Sequence, residues 1–383
     1  MKVAFIHGDK KVKTGANYIN NLIADKLKVK GVKVRDFYPT VKLFDPPFHL
    51  KGLSNILFFY SLLEHRYDIL KYDIIHGTTY TPLPFLTYKI PVVSHFGSTT
   101  YGMLVNTPLA INLCKETKSI WYQLKKDNVI NELNIRTRKP QRDIIDIEHY
   151  VALRATAIIA TSKKVHDELV NQGVTSEKIT IIHNAIEDYW FKEPPIKQIE
   201  EPKIVYIGRL GSDAFTYKLK GLDRLIYIYN AFPNSHKIMI SITSNSKLAE
   251  WLKLNINNLT LFSNLNKNKI PNTIKGLRES ILLIPSRYEG FSLSLIEGMS
   301  QGLIPISFPV GVAPEIITSG KNGFLINNIL EARKYIDILM KDANLRHKMA
   351  SFSYKTSLKF KADNTINKFI NLYNKIYIKS NVN

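Results

Sequence analysis

The chain has 383 residues, 45% hydrophobic and 22% charged, which is the balance of a soluble globular protein, and its length suits two domains of ordinary size. Its 53 Lys and Arg against 32 Asp and Glu leave a formal charge of +21. Such a charge favours a polyanionic partner, but no RNA-recognition, zinc-finger or homeodomain pattern occurs among the basic residues, so nucleic acid is not expected. Cys114 is the lone cysteine; it excludes an internal disulfide and a cysteine-based zinc site and is expected in the core.

The N-terminus, Met1-Lys2-Val3-Ala4-Phe5-Ile6-His7-Gly8, reaches charge too early for a secretory signal. Leu53 to Leu63 is the longest apolar stretch and falls short of the roughly 20 residues of a membrane span. A cytoplasmic chain is expected, with peripheral attachment to an anionic membrane face as an option for its basic surface.

Strands are predicted at Val3–His7, Val32–Phe37, Asp73–His76, Pro91–His95, Ala157–Thr161 and Ile179–His183, with helical patterns between several of them, such as Tyr18–Lys28 before Gly31. That alternation predicts a parallel, doubly wound sheet. Ile111–Leu133 places Leu113, Ile120, Trp121 and Leu124 at helical spacing among lysines, a pattern that packs on a domain or lies on an anionic membrane. The basic residues Arg136, Arg138, Lys139 and Arg142 follow at once.

Prolines and charge break the pattern from Trp190 to Pro202, as a linker would. The alternation then restarts with strands at Ile204–Ile207, Lys237–Ile242, Leu259–Phe262, Ile281–Ile284 and Ile304–Ser307, and helices at Gly221–Tyr229 and Glu331–Met340. The expected division is an N-terminal Rossmann-like domain over 1–189, a linker over 190–202 and a C-terminal Rossmann-like domain over 203–350. Helices over 351–383 are expected to cross back to the first domain.

The densest chemistry lies in Ser286-Arg287-Tyr288-Glu289-Gly290-Phe291-Ser292-Leu293-Ser294-Leu295-Ile296-Glu297, directly after the apolar run Ile281–Pro285. It reads as a strand, a tight loop with one carboxylate and a helix with another. Such a helix start offers unpaired N–H groups to a phosphate or diphosphate. Glu297 also fits a capping box that opens at Ser294, so capping and ligand binding both stand at this level. Arg209 at a strand end and Lys220 at a helix start are placed to reach the same diphosphate. Gly15, between the first strand and its helix, is either a flexible turn or a phosphate-facing glycine. His95, at a strand end, is either a core histidine or a ligand contact.

The ordered set Gly208-Arg209-Leu210, Lys220-Gly221-Leu222-Asp223-Arg224, Glu289-Gly290-Phe291-Ser292 through Glu297, Gly302-Leu303-Ile304-Pro305 and Pro314-Glu315 resembles the retaining glycosyltransferases of family 4, group 1. The likeness covers nearly all the chain, including Tyr72–His76, the histidine loop Ser94-His95-Phe96-Gly97, Ile158–Ser162 and Ile181–Ile186. It implies an α/β GT-B fold: two doubly wound Rossmann-like domains facing an interdomain cleft. It further implies a metal-independent hexosyltransferase that moves a sugar with retention from a nucleotide-diphosphate donor, a UDP-sugar first, to a glycan or lipid-linked acceptor in polysaccharide or glycolipid synthesis. No cofactor is expected.

The same resemblance assigns catalysis to Glu289, His95, Arg209 and Lys220. It assigns donor binding to Gly15, Arg209, Lys220, Glu289, Gly290, Phe291, Ser292, Leu293 and Glu297, with Glu297 on the ribose hydroxyls. Three departures stand out: Ala185 where glycine is usual, a longer loop over Gly211–Tyr217, and Ser263-Asn264 where glycine is common. Other readings are a hydrolysing nucleotide-sugar epimerase and a non-catalytic sugar-nucleotide or polysaccharide binder; a nicotinamide dehydrogenase is disfavoured because no Gly-x-Gly-x-x-Gly follows a strand.

Overall fold

The computed structural model describes residues 1–10, 15–41, 54–134, 139–192, 199–243 and 245–382. The chain forms two compact units: Met1–Tyr101 with Lys139–Ala185 and Phe360–Asn383, and Gly102–Arg138 with Ile186–Lys359.

The first unit is built on β1 (Lys2–Ile6), β2 (Lys33–Phe37), β3 (Ile74–Thr78), β4 (Val92–Phe96), β5 (Ala157–Ala160) and β6 (Ile179–Ile181), in the order β2-β1-β3-β4-β5-β6. Every pairing is parallel. Val3, Ala4, Phe5 and Ile6 are fully buried, and all of β4 is buried. Strands covered on both faces read as continuous apolar runs, which is why the predicted segments fall within one or two residues of the observed ones. The edge strand β2 instead alternates exposed and less exposed positions.

The second unit repeats the plan with β7 (Ile204–Gly211), β8 (Lys237–Thr243), β9 (Leu259–Ser263), β10 (Ile281–Ile284), β11 (Ile304–Ser307) and β12 (Phe324–Leu325), in the order β12-β11-β10-β7-β8-β9, again all parallel. At two residues, β12 is too short to leave a pattern in the sequence.

Three features differ from the sequence expectation. Residues 102–138 pack in the second unit, where the helix Lys115–Lys126 buries Thr117, Trp121 and Leu124 against the helix Leu222–Asn230. Trp190, read as the start of the linker, is fully buried, and its carbonyl accepts from Gln301 Nε2 at 2.8 Å. Cys114 is exposed rather than core, with its sulfur 3.2 Å from Thr117 Oγ1. Residues 193–198 of the expected linker, Leu53, Thr14, Arg136 and Arg138 lie outside the described residues.

The C-terminal helix Ala362–Val382 belongs to the first unit and packs along the helix Gly15–Val29. Its Tyr373 hydroxyl is hydrogen-bonded to Nδ1 of His76 at 2.7 Å, and both residues are fully buried. Among the described residues no helix is long and apolar enough to cross a membrane.

Two buried carboxylates hold the loop after β4. Glu148 accepts from the Thr100 amide and hydroxyl, each at 2.8 Å, and Glu168 accepts from the Thr99 hydroxyl at 2.5 Å. Burial pushes the Glu148 carboxyl up to about 7; the Thr100 donors oppose that rise and the Glu168 charge adds to it. The folded state therefore holds this proton more tightly than the unfolded chain. The stability it contributes is fully present below the model-peptide value of about 4.3 and is lost as pH rises through about 7. Glu148→Gln is expected to flatten the fall in urea midpoint between about pH 5 and about pH 7 relative to wild type. Parallel curves for the two proteins would show that Glu148 is ionised throughout.

Candidate active site

In the second unit the strand order reverses between β7 and β10, and the crevice beyond the carboxyl ends of such a pair is where open α/β sheets bind ligands. Arg209 stands near the end of β7, exposed, and its guanidinium has neither hydrogen bond nor ion pair among the described residues. Lys220 lies between the helices Ala214–Leu219 and Leu222–Asn230, and Glu289 lies in the loop after β10. Lys220 Nζ is 2.8 Å from Glu289 Oε1, and the Ser286 hydroxyl donates to the same oxygen at 2.7 Å. Glu289 Oε2 has no partner among the described residues, so the carboxylate is fixed by one oxygen and available through the other.

A second layer, which sequence reasoning did not assign, holds these loops together. The Arg287 guanidinium forks onto Asp223, with both N–O distances 2.7 Å, and also donates to the Lys218 carbonyl at 2.8 Å. The Arg287 amide donates to the Leu219 carbonyl at 2.8 Å. From the other side Arg224 donates to the Pro285 carbonyl at 3.2 Å and stacks over Phe308 at 3.8 Å. Burial, and then the Arg287 charge, lower the Arg224 pKa to about 10, so the guanidinium stays charged at neutral pH.

The loops meet so closely that a Cβ on Gly221 would stand 2.0 Å from the Pro285 carbonyl oxygen, and φ there is +68°. Only glycine fits both constraints. The 102–138 segment buttresses the same corner: Lys218 donates to Asn134 at 2.7 Å and lies over the Trp121 ring, and buried Thr117 helps hold the Asp223 carboxyl down.

Glu289, Gly290 and Phe291 are backed by Gly311, whose Cβ would meet the Phe291 carbonyl at 2.5 Å, while Val312 N donates to that carbonyl at 3.0 Å. Ser292 then caps the helix Leu293–Ser300 with φ 80° and ψ 77°, a left-handed conformation for a residue that carries a Cβ. Its hydroxyl is buried and has no hydrogen-bond partner in the structure. Such strain costs about 1–3 kcal/mol and persists mainly at functional sites.

The structure sets aside the capping reading of Glu297. The helix starts at Leu293 without a side-chain cap, and Glu297 instead reaches Lys267, Nζ to Oε1 3.2 Å. Burial raises the Glu297 carboxyl above its ordinary value, Lys267 opposes that rise and Glu187 adds to it. Lys267 also pairs with Glu187 at 2.7 Å. The sequence carries no local signal for this contact, because its two partners are 80 positions apart.

The structure thus brings Arg209, Lys220, Glu289, Gly290, Phe291, Ser292, Leu293 and Glu297 to the carboxyl end of one sheet. His95 and Gly15 belong to the first unit. Gly15 begins the helix Gly15–Val29, and residues 11–14 before it lie outside the described residues. His95 is the next-to-last residue of β4, 3% exposed, with both ring nitrogens unpartnered and its ring edge-on to His76 and Phe369. Burial lowers its pKa to about 4, so the imidazole is neutral. A separate cavity of about 560 Å³ in the first unit, at the β2 edge, holds none of these residues. Several of its cations are already paired, Lys28 with Asp36 and both Arg35 and Lys71 with Asp68.

The chain matches the family described as Glycosyl transferases group 1 over residues 191–356 and Glycosyltransferase Family 4 over residues 30–188, so the two matches span most of its length. It belongs to the group 1 glycosyltransferases and has their two-domain α/β GT-B fold. Among curated relatives, an uncharacterized 41.2 kDa protein in the cps region of Klebsiella pneumoniae is 26% identical over 301 residues, 75% of this chain and 80% of that one. An uncharacterized glycosyltransferase of Methanocaldococcus jannaschii is 28% identical over 50% of this chain and 51% of its own. Among solved structures, sucrose-phosphate synthase from Thermosynechococcus elongatus superposes with a TM-score of 0.74 at 15% identity, covering 99% of both chains. Anabaena HepE in complex with UDP-glucose gives 0.67 at 16% identity, covering 98% of this chain and 100% of its own.

Asp223 is buried, which by itself would raise its carboxyl pKa, but the Arg287 fork outweighs burial and holds it below the usual carboxylate range. Arg287→Met removes the fork and strands that charge. The variant is expected to lose about 3–5 kcal/mol of stability in urea denaturation, with much of the loss restored by the additional change Asp223→Leu. A single variant within about 0.5 kcal/mol of wild type would show that the fork is not holding the loops.

Proposed function

We propose that the protein is a retaining, metal-independent hexosyltransferase that takes a sugar from a nucleotide-diphosphate donor, a UDP-sugar first, and delivers it to a glycan or lipid-linked acceptor in cell-surface polysaccharide or glycolipid synthesis. The observation that carries this reading is the Lys220–Glu289 pair, with one carboxylate oxygen left open, beside the unpaired Arg209 at the switch point of the second sheet. Negative charge grows on the diphosphate as the anomeric bond breaks, and preorganised cations stabilise that charge more in the transition state than in the ground state.

In this reading Arg209 and Lys220 hold the departing diphosphate and Glu289 orients the sugar through its open oxygen. The amides from Phe291 to Leu293 meet the donor, and the unpartnered Ser292 hydroxyl is one of the groups it satisfies. Glu297 accepts from the ribose hydroxyls, and the leaving phosphate takes the acceptor's proton. His95 and Gly15 keep the roles that the family resemblance implies. Support for a nucleotide-sugar donor comes from HepE structures holding UDP and UDP-glucose, and support for a cell-surface product from the lipopolysaccharide outer core galactosyltransferase WaaB and the cps-region relative.

Lys220→Ala and Glu289→Ala are each expected to lower kcat by about 10²–10³-fold while the fold survives, as measured by nucleoside diphosphate release with acceptor present and by urea unfolding. A thermal-shift screen against UDP, GDP and ADP sugars is expected to single out the donor, which at about 100 times its Kd stabilises by about 2.7 kcal/mol. EDTA is expected to leave turnover unchanged. Donor consumption without acceptor at the full rate would instead mark an epimerase or hydrolase.

A further inference from the structure

Three ionisable side chains from three separate elements converge behind the ribose end of the site described above. Lys267 opens a short turn after β9, Glu187 precedes the turn Asp188–Phe191, and Glu297 stands on the helix after β10. The ammonium lies 2.7 and 2.9 Å from the two oxygens of Glu187 and 3.2 Å from Oε1 of Glu297. Lys267 is 9% exposed and Glu297 5%, so the cluster is largely cut off from water. Burial, and then the charges of Glu187 and Glu297, raise the Tyr189 phenol above its ordinary value.

Two carboxylates share one ammonium here, which leaves one excess negative charge in a poorly hydrated place. Lysine has three N–H donors, and both carboxylates are among the partners of this one. Oε2 of Glu297 has no partner among the described residues. A desolvated carboxylate that has one cation and one open oxygen calls for neutral hydroxyl donors, and a vicinal diol supplies two. An ion pair built only for stability would gain little at this depth, since desolvation offsets most of the attraction.

We propose that Lys267, itself held by Glu187, is a positioning residue that keeps Glu297 charged and aimed so that it accepts the vicinal ribose hydroxyls of the donor. This inference rests on the reading of Glu297 as the ribose acceptor and adds two residues to it. Lys267 does not touch the reacting atoms; it acts through Glu297. Burial pushes the Glu297 carboxyl up, and Lys267 is the cation that opposes the rise. Without that cation, Glu297 takes up a proton nearer to neutral pH and stops accepting.

The test compares wild type, Lys267→Met, Lys267→Arg, Glu187→Gln and Glu297→Gln in calorimetric titrations with whichever of UDP, GDP and ADP gives the largest thermal shift, and with its 2′,3′-dideoxy counterpart. Wild type is expected to prefer the diol. Lys267→Met is expected to lose about tenfold in affinity for the diol near neutral pH, with little change for the dideoxy probe. The loss should deepen as pH falls and recover as pH rises, because the carboxylate is the binding form. Lys267→Arg should restore most of the affinity, and Glu187→Gln should show a smaller loss that does not deepen as pH falls, because Lys267 stays and the charge that raises the Glu297 carboxyl is gone.

The inference is overturned if Lys267→Met binds the diol like wild type at every pH, or loses both probes equally at every pH, as a merely structural role would give. If Glu297→Gln also binds both probes like wild type, the ribose reading itself is wrong. Should Lys267→Met fail to fold, Lys267→Met with Glu187→Gln removes one charge of each sign and is read in the same way.

Discussion

The site depends on the fork between Arg287 and Asp223, two contacts of 2.7 Å in a place where Asp223 has no exposure. Its net contribution to stability is small against a hydrophobic replacement, because the attraction must offset the desolvation of both groups. Its structural effect is larger. A guanidinium is planar and rigid, so one fork sets the distance and angle between two loops at once. The Lys220 loop and the Glu289 loop are then a single object, pressed together where Gly221 leaves no room for a Cβ against Pro285. The 2.8 Å approach of Lys220 to Glu289 is a consequence of that junction rather than its cause.

How much of this was legible in the sequence follows from the range of each interaction. The strands were legible because a parallel sheet covered on both faces writes unbroken apolar runs such as Ile281–Ile284. Glu289 and Lys220 were legible because each stands beside a glycine at a break between elements. The supporting contacts were not: Arg287 meets Asp223 across 64 positions and Lys267 meets Glu187 across 80, and no local pattern encodes a pairing of that reach. Glu297 shows the limit most directly. Ser294 and Glu297 have the spacing of a capping box, and only the helix start at Leu293 shows that the carboxylate is free of that task. The 102–138 segment was misassigned for a similar reason. Its order in the chain says where it is connected, while Trp121 and Leu124 decide where it packs.

The charged groups of the supporting layer and the groups at the strand ends differ in how far they are satisfied. In the supporting layer the guanidiniums of Arg287 and Arg224 both find acceptors and the Lys218 ammonium finds Asn134. At the strand ends the accounting is left open: Arg209 has no partner among the described residues, the Ser292 hydroxyl is buried without one, and Ser292 itself is held at φ 80°. A buried hydroxyl without a partner on a strained backbone, beside an exposed guanidinium that is also unpaired, is the pattern of a site that a ligand completes.

The departures from the family pattern can be weighed on the same footing. Asn264 stands where glycine is common, and it takes φ 55°, the left-handed conformation that asparagine tolerates better than other residues with a Cβ. Its side chain accepts from the Thr243 amide at 3.3 Å, and its own amide donates to the Ser241 carbonyl at 2.9 Å. The turn after β9 therefore keeps the backbone course that glycine would permit and gains a tether to the end of β8. Lys267 lies three residues further along the same turn, so the tether at Asn264 also limits where its ammonium can reach. A substitution that looks like a loss of flexibility in the sequence is, in the fold, a restraint on the residue that neutralises Glu297.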